Sequence, residues 1–142
     1  MSDLKDRIYG ILQQPRLSGL ATITQDGKPW VRYVMAAASP DLTVRCATFA
    51  SARKAKQIEQ NPEVHLTCGV TDPQNMQPYI QVQGRASINA SQEARHAFWS
   101  DMLSRIFNGP DDPNYAVVEI TPHYIEYWSP GGGFEPEIWK AE

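Results

Sequence analysis

A chain of 142 residues, 42% hydrophobic and 20% charged, is long enough for one domain with a real core. Its net charge of −3 argues against a general nucleic-acid partner, and no apolar run approaches the ~20 residues of a membrane-spanning helix. Nothing resembles a signal peptide, so the cytoplasm is the expected compartment, and the spacing of cysteines and histidines points to neither a disulfide scaffold nor a zinc site.

Residues 3–14 carry the pattern of an amphipathic helix, with Leu4, Ile8, Ile11 and Leu12 on one face and Pro15 as the stop. This helix is expected to plug an open end of a sheet. Residues 17–24 read as a strand, Asp26-Gly27 as a hairpin turn, and residues 29–38 as the return strand. The return strand, PWVRYVMAAA, is apolar on both faces, as in a closed sheet whose outer side a partner covers. Arg32 interrupts it. A buried guanidinium needs an anion or several acceptors, so Arg32 meets either an acid from a neighbouring strand or a ligand.

Ser39-Pro40-Asp41 turns the chain into residues 42–68, which read as strand, tight turn, short helix and strand. The first strand covers residues 42–48. Ser51 is the expected N-cap of a helix over residues 52–60, and Asn61-Pro62 ends it. Val64, Leu66 and Cys68 then alternate with polar neighbours. Arg53 and Lys54 fall in the first helical turn, where the helix dipole disfavours a cation by roughly 0.3–1 kcal/mol. Free amides and two cations there make an anion site, suited to phosphate, with hydroxyls from Thr48 and Ser51 at hand. A solvated basic face fits the same residues, since Lys56 follows.

Residues 72–78 are a loop by composition, and residues 79–89 a long strand in which Gly84 marks a bend or bulge. Ser91 caps a helix expected to run to Phe107. Residues 115–120 and 123–128 are the last two strands, joined across Thr121-Pro122. The domain is taken as residues 1–130, followed by a flexible tail over 131–142 in which Phe134 and Trp139 have no place in the sheet. Cys46 and Cys68 fall on strands and read as buried thiols. With no nucleophile motif or nucleotide fingerprint in the chain, any reactive group is expected to be a bound cofactor's.

Thr48, Lys54 six residues on, Ile58 and Asn61-Pro62 together resemble the Thr-x-x-x-Ser-x-Lys…Asn-Pro segment of the pyridoxamine 5′-phosphate oxidase-like flavoproteins. The order of elements is similar to that family's general stress protein 26-like branch. The resemblance implies a mainly β fold, an FMN-binding split barrel of six to seven largely antiparallel strands with peripheral helices. It also implies a homodimer with the flavin at its interface. In the family, Lys54 and the neighbouring Thr48 and Ser51 would hold the FMN phosphate, although Ala52 stands where Ser is usual; Arg53 joins them as a candidate from its place in the first helical turn. Arg32 would open a segment flanking the flavin (often Arg-Pro-Met), with Tyr33, Val34 and Met35 as wall residues. Tyr79 and Gln81 are candidate contacts near the dimer-related flavin. Glu126-Tyr127-Trp128 resembles the branch's strand ending, and Trp128 either lies against the flavin ring or closes the barrel or dimer seam.

The function so implied is an oxidoreductase passing electrons or hydride between bound FMN and a small molecule. The alternative is a non-catalytic flavin-binding or stress-sensing protein holding FMN or a deazaflavin. Pyridoxamine phosphate oxidation itself is not expected, because no Arg-containing substrate segment follows Trp128, where Lys140 is the only basic residue.

Overall fold

Alternation of apolar and polar residues in six segments closes a sheet on itself. The computed structural model describes residues 3–131, 133 and 135–142. Its elements are α1 (Leu4–Leu12), β1 (Arg16–Ile23), β2 (Pro29–Ala38), β3 (Val44–Phe49), α2 (Arg53–Gln60), β4 (Glu63–Cys68), β5 (Tyr79–Asn89), α3 (Gln92–Phe98), a 3-10 turn (Asp101–Arg105), β6 (Tyr115–Trp128) and β7 (Glu137–Lys140). The strands run β3-β2-β1-β4-β5-β6-β7, and a further β3–β6 pairing closes the first six into an antiparallel barrel. Leu20, Leu66, Ile80, Val82, Ile120 and Ile125 point inward and are at most 1% exposed. From α1, Ile8 and Leu12 join that core, as expected of a helix that plugs the sheet. A smaller cluster gathers on Phe107, Tyr115 and Val117.

The mainly β, split-barrel expectation holds, and β2 and β5 have the expected bounds. Four details differ. Leu42 has φ +70°, in a turn where its amide donates to the Ser39 carbonyl at 2.8 Å, so β3 starts only at Val44. The helix capped by Ser91 stops at Phe98, because Trp99 turns extended and sets its ring edge-on against Tyr115 at 5.6 Å. The two final strands are one, β6: Pro122 stays paired with Gly84, and a bulge with His123 as its extra residue sits opposite the Gln83–Gly84 step. The tail is not free throughout: β7 pairs with residues 124–127 of β6, and Arg7 forks onto Glu137 through Nη1 and Nη2 (2.9 Å for the second). Trp139 packs at the edge of the main core, and Phe134 lies outside the described residues. Among the described residues no helix is long and apolar enough to cross a membrane.

Gly84 is required by close approach. A Cβ there would lie 2.8 Å from Ile120 Cγ2 and 2.8 Å from the Thr121 carbonyl oxygen. Since backbone cannot yield as a side-chain tip can, Gly84→Ala is expected to lower stability by about 1–3 kcal/mol in urea unfolding. A loss near zero would mean that the bulge adapts freely.

Glu119 on β6 accepts from Asn89 Nδ2 at 2.8 Å and from Arg45 Nε at 2.8 Å. The Asn89 amide first, and Arg45 with it, hold its carboxyl below the usual carboxylate range. A depressed folded-state pKa contributes stability that is present above the unfolded value, near 4.3, and is lost as pH falls through the folded value. Glu119→Gln should therefore flatten the acid limb of stability against pH, by about 1 kcal/mol at most for a partly exposed pair. Parallel acid limbs in the two proteins would contradict this.

Candidate functional site

The barrel opens where two of its strands part. β2 pairs with β3 only at Ala36–Cys46, Ala37–Arg45 and Ala38–Val44, whereas β3 stays paired with β6 to its end at Phe49. Beyond Ala36 the strands diverge, and a groove of about 300 Å³ lies between Tyr33, Val34 and Met35 on one side and Ala47, Thr48 and Phe49 on the other. The 3-10 segment and its sequel add Met102, Ile106 and Phe107, so most of the wall is apolar.

α2 begins at this gap. The Ala52 amide donates to the Phe49 carbonyl at 3.0 Å, a tight turn that makes Ala52 the N-cap, with no side-chain cap. The expected cap, Ser51, thus stands one residue too early and faces solvent. Buried Ala55 and Ile58 anchor the helix on the barrel. That anchoring brings Lys54, half-buried, into the groove wall. Burial, and less strongly the charge of Arg32, push the Lys54 pKa down, while Cys46 opposes the shift. Among the described residues no acid pairs with its ammonium.

Arg32 enters the same region from β2. It donates from Nη1 to the Leu20 carbonyl at 3.1 Å and to Thr22 Oγ1 at 2.8 Å, and from Nη2 to Gln57 Oε1 at 3.2 Å. Arg32 is therefore satisfied by several neutral acceptors and, among the described residues, by no acid. Burial and then the Arg53 charge push its pKa down. Arg53 is exposed, its guanidinium 5.9 Å from the centre of the Trp30 ring. Three cations thus converge on the start of α2. The Thr48 hydroxyl, 3% exposed, donates to the Phe49 carbonyl at 3.0 Å. Cys46 lies beneath, 1% exposed, and burial pushes its thiol up to about 11 against the pull of Lys54 and Arg32. Cys68 is buried too, so both cysteines are the inert thiols expected.

Of the predicted residues, Tyr33, Val34, Met35, Thr48 and Lys54 line this groove, whereas Arg32, Ser51 and Arg53 stand outside its wall and Tyr79, Gln81 and Trp128 lie farther off. Tyr79 lines a neighbouring hollow of about 630 Å³ with Arg32, Val31 and Val70, which shares Leu17 and Tyr33 with the groove. Gln81 lines a third, of about 210 Å³, with His65, Tyr124 and Glu126. Trp128 stacks on Tyr79 of its own chain, ring centres 6.1 Å apart and planes 4° from parallel, and donates from Nε1 to Glu126 at 3.1 Å. Sequence reasoning does not single out Gln57 or Leu17, and it reads Met102 and Ile106 as part of a packed helix face, whereas both are exposed and line the groove, because the helix ends before them at Phe98. Spacing alone flags Gln57, one helical turn after Lys54. The groove can take an anion at its cationic end and a flat apolar group along its wall. Among the described residues no cluster of His, Cys, Asp and Glu could hold a metal ion.

A family profile described as pyridoxamine 5′-phosphate oxidase matches residues 4–129. The chain is 37% identical to general stress protein 26 of Bacillus subtilis (strain 168) over 129 residues, 91% of each protein. It is 24% identical over 149 residues to a pyridoxine/pyridoxamine 5′-phosphate oxidase of Nostoc punctiforme, covering 85% of this chain and 70% of that protein. The crystal structure of general stress protein 26 from Bacillus anthracis str. Sterne superposes with a TM-score of 0.82 at 32% identity, covering 97% of this chain and 98% of that one. On sequence and fold together, the chain belongs to the pyridoxamine 5′-phosphate oxidase family, in its general stress protein 26-like branch.

Proposed function

We propose that the groove at the start of α2 holds FMN by its phosphate, and that the protein is a flavoprotein oxidoreductase acting on a small molecule. The observation that carries this reading is the gathering of Arg32, Arg53 and Lys54 with no acidic partner among the described residues. Three cations, two of them half-buried, repel one another, and a dianionic phosphate relieves that cost. Lys54 would supply a point charge, Arg53 a second from the solvent side, and the uncapped α2 amides further donors. Tyr33, Met35, Phe49 and Ile106 offer a flat ring an apolar bed. FMN, when bound, supplies the redox chemistry, and the protein's part is to bind, orient and shield it. Among the described residues no Asp, Glu or His lines the groove to act as a general base.

We also propose a homodimer with the flavin at its interface. Of the eleven large apolar side chains that are exposed among the described residues, eight line the groove or the hollow beside it, Val31 at 66% and Tyr33 at 78% among them. Contiguous apolar surface of this kind marks an interaction site, and a stable interface buries on the order of 1,600 Å².

The purified protein should be yellow and release FMN on denaturation, whereas a deazaflavin would show a different spectrum. Lys54→Ala should weaken FMN binding by roughly 1.5–3 kcal/mol in a fluorescence titration, with the unfolding midpoint unchanged. Unchanged affinity would place the phosphate elsewhere. Sedimentation at micromolar concentration should show a dimer, and a monomer alone would overturn the interface.

A further inference from the structure

The acceptors around Arg32 form a closed ring. Thr22 Oγ1 accepts from Arg32 Nη1 at 2.8 Å and donates to Gln57 Oε1 at 2.5 Å, and the same Oε1 accepts from Arg32 Nη2 at 3.2 Å. A hydroxyl has one proton to give. Because Thr22 receives from Arg32, that proton goes to Gln57. With two donors converging on it, the Gln57 amide turns its oxygen inward. Thr22 is 0% exposed, so the ring is built into the barrel wall.

Neither partner in this ring carries charge. A carboxylate in place of the Gln57 amide would bond Arg32 more strongly, since charge-assisted bonds are roughly twice as strong as neutral ones. It would also cancel the guanidinium's charge beside Arg53 and Lys54. The neutral amide holds the guanidinium in place and leaves its charge uncompensated. Gln57 lies one turn after Lys54 on α2, so one helix sets both the ammonium in the groove and the oxygen that fixes Arg32.

We propose that Gln57, backed by Thr22, is a positioning residue that holds Arg32 through uncharged bonds and so keeps its charge available for a phosphate. It thereby determines how strongly the site prefers a phosphorylated flavin to its phosphate-free form. The inference rests on the reading of the groove as a phosphate site.

The test compares FMN with riboflavin in fluorescence titrations of the wild-type protein, Gln57→Glu and Thr22→Val, with unfolding midpoints measured in parallel. Gln57→Glu keeps the shape and the acceptor oxygen and adds only charge. It should cut the FMN-over-riboflavin preference at least tenfold at low ionic strength, with riboflavin affinity and the midpoint retained. The difference from wild type should shrink as salt screens the added charge. Thr22→Val removes the bridging hydroxyl and should cut the preference several-fold, and it carries the test if Gln57→Glu does not fold. A merely structural role would weaken both ligands together. A full preference for FMN in the folded variants overturns this proposal alone. No preference for FMN in the wild-type protein overturns the phosphate reading, and this proposal with it.

Discussion

The pairing of β3 with β6, from Val44–Ile120 to Phe49–Tyr115, is the contact on which the rest depends. It closes the barrel, yet it takes β3 away from β2 after three residue pairs. Closure and splitting are thus one event. Had β3 continued along β2, Tyr33, Val34 and Met35 would face Ala47, Thr48 and Phe49 across a hydrogen-bonded ladder about 4.8 Å wide, too narrow for any ligand. Because β3 ends paired to β6, the turn into α2 starts at the rim of the gap, and Lys54 is delivered to it by the chain's own course.

The electrostatics of that rim favour binding over stability. Removing two cations from water costs several kcal/mol unless partners repay it, and here Arg32 has only neutral acceptors while Lys54 has no acid. The depressed pKa values of both groups express the same cost, with burial the main cause. The main core, with Ile80 and Ile120 fully buried, is what allows the rim to stay frustrated. An anion that binds only the folded chain repays the cost by mass action.

Period-two patterning made β5 legible to the residue, because its sequence records the one face it buries, whereas β2, apolar on both faces, was bounded by the turns at Asp26-Gly27 and Ser39-Pro40-Asp41. Thr48 and Lys54 were legible through their spacing along a strand, turn and helix that form locally. The differences arise where distant partners decide. Trp99 leaves the helix because Tyr115 offers a ring to pack on, and residues 137–140 become a strand because β6 has an edge to spare. The Ser51 cap was missed by one position, since the turn is set by the Phe49 carbonyl and not by the hydroxyl. Gln57 has only its spacing from Lys54 as a sequence signal, because its role exists only once Thr22 and Arg32 meet it across the barrel.

The residues expected to contact flavin fall into two groups, which one chain joins only at the hollow where Tyr79 meets Arg32 and Tyr33. A single cross-strand row on the outer face runs Tyr33, Gly19, Thr67, Gln81, Glu126. Four strand spacings of about 4.8 Å separate its ends, roughly 19 Å along the curved sheet. Trp128 lies next to the far end, and its ring is already occupied by Tyr79 of the same chain. A flavin whose phosphate sits at Lys54 and whose ring lies between Met35 and Ile106 runs along the near end of that row. In a two-fold dimer, what one copy's surface offers to the other is offered back. Tyr79 borders the hollow beside the groove of its own chain, whereas Gln81 and Trp128 can then serve the flavin only across such an axis, on the partner's groove. Their place in the cofactor site and the proposed dimer are therefore one claim, carried by the apolar end of the row at Val31 and Tyr33.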